Sequence, residues 1–332
     1  MTPSLFIVIV NYKSAALTVE CLKSVRQEAA TSGLSIPWRT IVVDNASGDY
    51  PQLANAVEQG GMQDWVQLID APRNGGFSYG NNIGIRIALA QPARPKFVML
   101  LNPDTALKPG AVQHLVDFLQ THPRAGIAGC SFENQDGTDW NIAFRFPSLA
   151  GFFDQGARIA VINRLLSDKA IARNMSGISP TKVDWVAGAC MLIRTNMIER
   201  IGMMDEGYFL YYEEVDFCLK ANRAQWECWH VPASRVMHVS GHSTGVSGSQ
   251  RTLKPLPDYW YKSRTRFLIK NYGFAYAKLA DLAYLSGLFL SRMKAALGGS
   301  RNEDPPRLIW DFLRKSTVLR LAKPMIENDP AT

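Results

Sequence analysis

Three groups of residues in this chain have the types and spacing to do chemistry. The first is Asn102-Pro103-Asp104, which follows the apolar run Phe97–Leu101. A carboxylate at the open end of a strand can hold a divalent cation, because hard ions such as Mg²⁺ take oxygen ligands together with substrate phosphates. Asn-Pro-Asp is also ordinary turn chemistry. The second group lies between Asp205 and Asp216, where Glu213, Glu214 and Asp216 follow Tyr208, Phe209, Tyr211 and Tyr212. Carboxylates this close raise one another's pKa, which suits a general base. The same acids would also favour the N-terminus of a helix starting at Glu213. The third is His238, after a short apolar run and before a Gly/Ser segment, with His242 as its nearest rival. A His at a strand end is a candidate metal ligand, and a half-buried structural His is the alternative.

These residues need a scaffold, and the first half of the chain reads as one. Strand-like segments at Leu5–Val10, Arg39–Val43, Val66–Asp70, Lys96–Leu101 and Gly126–Cys130 alternate with helix-like segments at Ala15–Glu28, Ile83–Ala90 and Ala111–Gln120. Short, continuously apolar strands separated by helices indicate a parallel sheet covered on both faces. In such sheets ligands bind beyond the carboxyl ends of the strands. Those ends carry Asn11, Asp44, Asp70 and Asp104. Further on, the pattern predicts a helix over Phe152–Leu166, a strand pair or a strand plus turn over Lys182–Arg194, a helix over Glu213–Ala221 and a strand over Trp226–Val231. Ser247–Pro257 reads as a loop, and Asp258–Leu297 as helical.

With 332 residues, 47% of them hydrophobic, the chain can bury a large core, so wholesale disorder is excluded. Its five cysteines are odd in number, scattered and free of any Cys-x-x-Cys pair. That argues against a disulfide framework or a structural zinc site and for a reducing compartment. No signal peptide is read at the N-terminus. The net charge of +7 is uneven: from Arg251 onward there are 15 basic and 7 acidic residues. The C-terminal quarter therefore expects an anionic partner or is a solvated basic tail. Lys278 and Asp281 interrupt the apolar stretch Phe274–Leu290, so a membrane span is not expected there. A helix lying in the membrane interface, or docked on protein, is.

Together the motifs bring a family into view. Ile7-Val8-Ile9-Val10-Asn11-Tyr12, Val42-Val43-Asp44-Asn45-Ala46-Ser47, Arg73-Asn74-Gly75-Gly76-Phe77 with Asn81-Asn82-Ile83-Gly84, Leu101-Asn102-Pro103-Asp104, Trp185-Val186-Ala187-Gly188-Ala189 and the stretch Met204–Asp216 stand in the family's order and spacing. From Phe6 to about His242 the chain resembles a family 2 glycosyltransferase of the GT-A fold, in particular the bacterial rhamnosyltransferase-like branch. The resemblance implies an α/β fold, a Rossmann-like and mostly parallel central sheet flanked by helices, with a C-terminal helical extension. A GT-A domain over 1–250 would divide into a donor half at about 1–130 and an acceptor half at about 131–250. Residues 251–332 would form the basic extension.

The resemblance also implies roles. Asp44 would bind the donor's nucleobase, and Asp104 the cation, Mg²⁺ or Mn²⁺, that bridges the donor diphosphate. Asn102 stands where the first Asp of that motif often lies. Asn11, Arg73, Asn74 and Gly75 would complete the donor site, the last three in a flexible loop. Glu214 takes the place of the catalytic base, with Glu213 and Asp216 as alternatives, and His238 completes the metal site. Trp185, Gly188 and Ala189 would wall the acceptor. The implied reaction is one inverting displacement with no enzyme nucleophile. The best donor is dTDP-rhamnose, with UDP-galactofuranose or another UDP-sugar as alternative, and the acceptor is a glycan or a polyprenyl-diphosphate-linked glycan of a cell-surface polysaccharide. A non-catalytic nucleotide-sugar-binding relative is the competing class. No nucleic-acid module is present, and no Gly-x-Gly-x-x-Gly follows the first strand, which excludes a dinucleotide oxidoreductase. The expected location is cytoplasmic, peripheral on the inner face of the membrane, with Arg264 and Arg266 facing a diphosphate or an anionic surface. The oligomeric state is not encoded.

Overall fold

A computed structural model gives the fold and describes residues 3–134, 136–140, 142–175, 179–238, 254–298 and 304–324. In chain order the elements are β1 (Leu5–Asn11), α1 (Ala15–Thr31), β2 (Trp38–Asp44), α2 (Tyr50–Gln59), β3 (Val66–Asp70), α3 (Gly76–Leu89), β4 (Phe97–Leu101), β5 (Thr105–Leu107), α4 (Ala111–Thr121) and β6 (Ala125–Glu133). There follow β7 (Asp139–Trp140), β8 (Ile142–Phe144), α5 (Leu149–Ala157), α6 (Ala160–Leu165), β9 (Ala172–Asn174), β10 (Thr181–Val183), β11 (Cys190–Arg194), α7 (Thr195–Ile201), α8 (Glu213–Arg223) and β12 (Glu227–His238). Three helices close the chain: α9 (Asp258–Tyr272), α10 (Phe274–Gly298) and α11 (Leu308–Lys315).

The apolar strands form one sheet in the order β10-β12-β6-β11-β4-β1-β2-β3, with β5 on β12 and β7 on β6. Strands β4, β1, β2 and β3 run parallel; β4 and β1 are buried almost throughout, while β3 at the sheet edge is half-exposed. Strand β11 enters antiparallel between β4 and β6. The register aligns Asn11 with Asp44 and Asp44 with Asp70, so the polar strand ends share one edge. Side chains from alternate positions fill two cores, one on each face: Ile7 and Ile9 on one, Phe6 and Val8 on the other. A third core joins Phe152 of α5 and Tyr208 to Phe267 of α9 and Ala280 of α10.

Four expectations are corrected. The helix read over Phe152–Leu166 is two helices, broken where Arg158 takes a left-handed φ of 48°. The strands within Lys182–Arg194 do not pair with each other: β10 lies on β12, and β11 lies between β4 and β6. The strand expected to stop at Val231 runs on to His238, because Pro232 falls at a register shift between Val231 and Arg235, where its missing N–H costs no ladder bond. The helical region after Asp258 is cut at Gly273, which has φ of 87°. The proposed boundary at residue 250, His242 and most of the Ser247–Pro257 loop lie outside the described residues.

Candidate active site

The site grows from the ends of β1 and β2. Asn11 Nδ2 donates to Asp44 Oδ1 at 2.7 Å and reaches Ser47 Oγ and Asp49 Oδ2, while its Oδ1 accepts from Ser14 and Thr18. Every polar atom of this amide is engaged within the protein. Asn11 therefore orients Asp44, whose Oδ2 also accepts the Ser47 N–H. Asn74 Oδ1 accepts from Asn45 Nδ2 and from the Gly76 N–H, both at 3.0 Å. Arg73 stacks over the Tyr79 ring at 4.3 Å. The glycines of this loop serve close approach. A Cβ on Gly75 would lie 2.3 Å from Tyr79, and one on Gly76 would lie 2.0 Å from the Phe209 carbonyl oxygen. Gly76 also has φ of +86°, and the next N–H, that of Phe77, donates to the same carbonyl at 2.8 Å. The loop at 73–76 is thus tied to the segment that leads into Glu214.

Asp104 follows β4 in a turn whose Asn102 N–H donates to the Ala189 carbonyl at 2.8 Å. Strand β5 then pairs with the end of β12, with Thr105 opposite His238. That register brings the two candidate metal ligands together, His238 Nε2 lying 3.4 Å from Asp104 Oδ1. The contact is not shaped as a hydrogen bond. Asp104 Oδ1 and His238 Nδ1 are both buried and lack hydrogen-bond partners. Phe132 and Trp140 flank the imidazole. Two unpartnered ligand atoms on one edge fit a hard cation that takes its remaining ligands from a diphosphate and water. Among the described residues no third His, Cys, Asp or Glu joins them.

Glu213 and Glu214 open α8, after Tyr211 and Tyr212, which both adopt left-handed backbone (φ 71° and 68°). Two such residues in succession store strain of roughly 1–3 kcal/mol each, a feature that clusters at functional sites. Glu214 lines a cavity of about 330 Å³ together with Phe144, Asp154, Trp185, Tyr212 and Trp260. Its Oε2 has no hydrogen-bond partner, and burial pushes its carboxyl up to about 7. Glu213 is more deeply buried than Glu214; desolvation, then the charge of Glu214, pushes its carboxyl well up. Asp216 differs, because Lys270 Nζ and Asn271 Nδ2 bind its two oxygens at 2.8 and 2.7 Å.

Trp185 lines the cavity, stacked on Phe144 at 3.8 Å and donating from its indole to the Arg145 carbonyl. A Cβ on Gly188 would sit 3.2 Å from Phe77 and 3.6 Å from the Glu214 Cβ. Gly188-Ala189 therefore connects the turn carrying Asp104 with Glu214.

The expected surface roles of Arg264 and Arg266 are not borne out. Arg264 is buried, ion-paired with Asp281 and set over the rings of Phe152 and Phe312. Arg266 is buried in a two-pronged contact with Asp205. Spacing alone gave no sign of these partners, which lie far off in sequence. Sequence reading also missed Asp154 and Trp260 as cavity walls, since neither stands in a motif.

A mostly parallel sheet with polar strand ends, an Asp-His pair on that edge and a half-buried acid facing an aromatic cavity defines the class, a GT-A glycosyltransferase. Solved structures agree on the fold. A mannosyltransferase from Pyrobaculum calidifontis, in complex with GDP-Man and Mn²⁺, superposes with TM-score 0.53 at 15% identity, over 92% of this chain and 77% of that one. GalNAc-T7 with UDP, GalNAc and Mn²⁺ gives 0.55 at 14%, over 94% and 56%. The family described as "Glycosyltransferase like family 2" matches residues 3–253, and the chain belongs to it. Among characterised relatives, the N-acetylglucosaminyl-diphospho-decaprenol L-rhamnosyltransferase of Mycobacterium tuberculosis is 28% identical over 63% of this chain and 69% of its own length. The low-salt glycan biosynthesis hexosyltransferase Agl10 of Haloferax volcanii is 31% identical over 67% and 63%. The rhamnosyltransferase WbbL of Escherichia coli is 28% identical over 50% and 62%.

Proposed function

We propose that this glycosyltransferase moves a sugar from a nucleotide donor to a polyprenyl-diphosphate-linked glycan, inverting the anomeric centre. L-Rhamnose from dTDP-rhamnose is the first candidate, since relatives named as rhamnosyltransferases support it. The single observation that carries the mechanism is Glu214, half-buried, with its Oε2 unpartnered and facing an aromatic cavity. There it accepts the proton of the acceptor hydroxyl as that oxygen attacks the anomeric carbon. Trp185 and Trp260 give the acceptor's apolar ring face a wall. Asp44 and the loop of Arg73, Asn74 and Gly75 serve the nucleotide side. Asp104 and His238 would hold Mg²⁺ or Mn²⁺, which when bound would neutralise charge on the leaving diphosphate. In this reading residues 1–130 handle the donor, 131–250 the acceptor, and 251–332 brace the acceptor side.

The protein works at a membrane surface in this proposal. Leu279, Leu282, Phe289, Leu290, Met293 and Leu297 of α10 are exposed at helical spacing, with Lys278 and Lys294 beside the stripe. An apolar stripe edged by lysines suits a headgroup boundary. Among the described residues no helix is long and apolar enough to cross a membrane.

The test is a donor panel (dTDP-rhamnose, UDP-galactofuranose, UDP-hexoses) with N-acetylglucosaminyl-diphosphoprenol as acceptor and Mg²⁺ or Mn²⁺ present. Transfer from dTDP-rhamnose supports the reading. Transfer only from a UDP-sugar replaces the donor, and nucleotide-sugar binding without transfer from any donor favours a binding protein.

A further inference from the structure

A second pocket adjoins the cavity of Glu214, and the mechanism above leaves it unused. It has a volume of about 480 Å³ and is lined by Arg145, Asp154, Asn163, Ser167 and Arg173, among others. Asp154, Ala170 and Ala172 line both spaces, so the two are neighbours. The hairpin of β8 and β9 forms the shared wall. Ala143 stands opposite Arg173, and the Arg145 N–H continues the ladder by donating to the Ile171 carbonyl. Residues 143 and 145 share a face of their strand, so Arg145 and Arg173 are diagonal neighbours on that face, roughly 7–8 Å apart at the backbone. Phe144, on the alternate face, belongs to the Glu214 cavity.

Both guanidiniums have capacity to spare. Arg145 Nη1 donates to the carbonyls of Ser167 and Ala170, at 3.3 and 3.1 Å. Arg173's side chain makes no hydrogen bond, and neither Arg forms an ion pair, among the described residues. The exposed carboxylate of Asp168 feels the charge of Arg145 without pairing to it. At the junction stands Asp154, whose Oδ1 lies 2.9 Å from the Asn163 amide and accepts from it once that amide's oxygen and nitrogen are exchanged; burial pushes the Asp154 carboxyl up. Two unpaired arginines on one face are suited to a diphosphate, whose two phosphoryl groups each present oxygens to a planar donor fork.

We propose that the pocket of Arg145 and Arg173 is the subsite for the acceptor's diphosphate, which places the lipid-linked sugar before Glu214. This rests on the reading of the acceptor given above.

The test uses the full chain in EDTA with geranyl diphosphate as probe and geraniol as its uncharged control, read by calorimetry. Wild type binds geranyl diphosphate and not geraniol. Arg173→Ala and Arg145→Ala each weaken binding about tenfold or more, the scale of a lost charge-assisted pair. Affinity for dTDP in Mg²⁺ stays unchanged. Arg173→Ala decides the matter if Arg145→Ala fails to fold, since only Arg145 supports the turn at 167–170. The proposal is overturned if wild type does not bind the probe, if both variants bind it normally, or if dTDP displaces it, which would place it in the donor site. It is also overturned if Arg173→Ala loses anionic vesicles but keeps the probe. Binding here needs no transfer, so a wrong donor or acceptor sugar leaves the subsite standing, and a failed probe leaves the glycosyl reaction to its own assay.

Discussion

Arg266 grips Asp205 with two nitrogens, Nε to Oδ2 at 3.0 Å and Nη2 to Oδ1 at 2.8 Å. Lys270, one turn further along α9, bridges Asp205 to Asp216 at 2.8 Å each. Burial alone would raise the Asp205 carboxyl, but Arg266 and Lys270 outweigh it and hold it below the usual carboxylate range. Helix α9 therefore clamps both ends of the segment that carries Glu214.

Removing Arg264 or Arg266 should cost stability without changing membrane attachment. Each variant to Met leaves a buried carboxylate without its strongest partner, a change worth about 3–5 kcal/mol when a buried pair is broken. The urea midpoint of Arg264→Met and Arg266→Met should fall accordingly. Vesicle binding by folded protein should stay at the wild-type level, while Leu282→Ser with Phe289→Ser should reduce it. Vesicle binding lost on Arg264→Met in protein that is still folded would restore the surface role.

The metal pair gives a second expectation. Asp104→Ala should abolish transfer and remove the extra thermal stabilisation that Mn²⁺ adds to dTDP binding. A ligand at 100 times its Kd stabilises by about 2.7 kcal/mol, so the loss is readily measured. His238→Ala should weaken the Mn²⁺ effect without abolishing it. Full wild-type turnover in EDTA would contradict both.

Gly76→Ala should be far worse than an ordinary surface glycine change. The new Cβ would meet the Phe209 carbonyl in a left-handed backbone, so the strand of chain leading to Tyr211 must move. The expected cost is more than about 1 kcal/mol, by chemical denaturation. Turnover should fall further than donor affinity does. Wild-type stability would show that the contact relaxes.

Glu214 also sets a pH dependence. Its carboxyl is raised by burial to about 7 and sits beside a raised Glu213. Between its ordinary value near 4.5 and about 7 the folded chain binds more protons than the unfolded one. Stability from this site therefore falls as pH rises through that window and levels off above it. Rate behaves oppositely, since the base must be ionised: kcat should climb to a plateau above about pH 7, with an apparent pKa belonging to the acid pair. Glu214→Gln should flatten the stability slope. A kcat profile level from pH 5 to 8 would count against an elevated base.

Much of this was legible in the sequence, and the reasons differ by residue. Asn11, Asp44 and Asp104 were readable because each ends a continuously apolar strand, and strand ends in a parallel sheet share an edge. The Asp104–His238 contact needed the family's spacing, since Pro232 made β12 look finished at Val231. Helix α2 was missed because Pro51, at home in a first helical turn, reads as a breaker in a polar stretch. Arg264 and Arg266 read as surface charge because only tertiary contacts show Asp281 and Asp205 beneath them. Asp154, Trp260 and the pair of Arg145 and Arg173 belong to no local pattern; the cavity walls come from distant segments.

The most direct test of the account is the turnover of Glu214→Gln, with donor affinity measured on the same protein. General-base catalysis is worth roughly 10²–10⁴-fold. The account predicts a fall of that size with dTDP-sugar affinity near wild type, since Glu214 faces the acceptor cavity. Near-full activity in Glu214→Gln, with Glu213→Gln or Asp216→Asn inactive though folded, would contradict it.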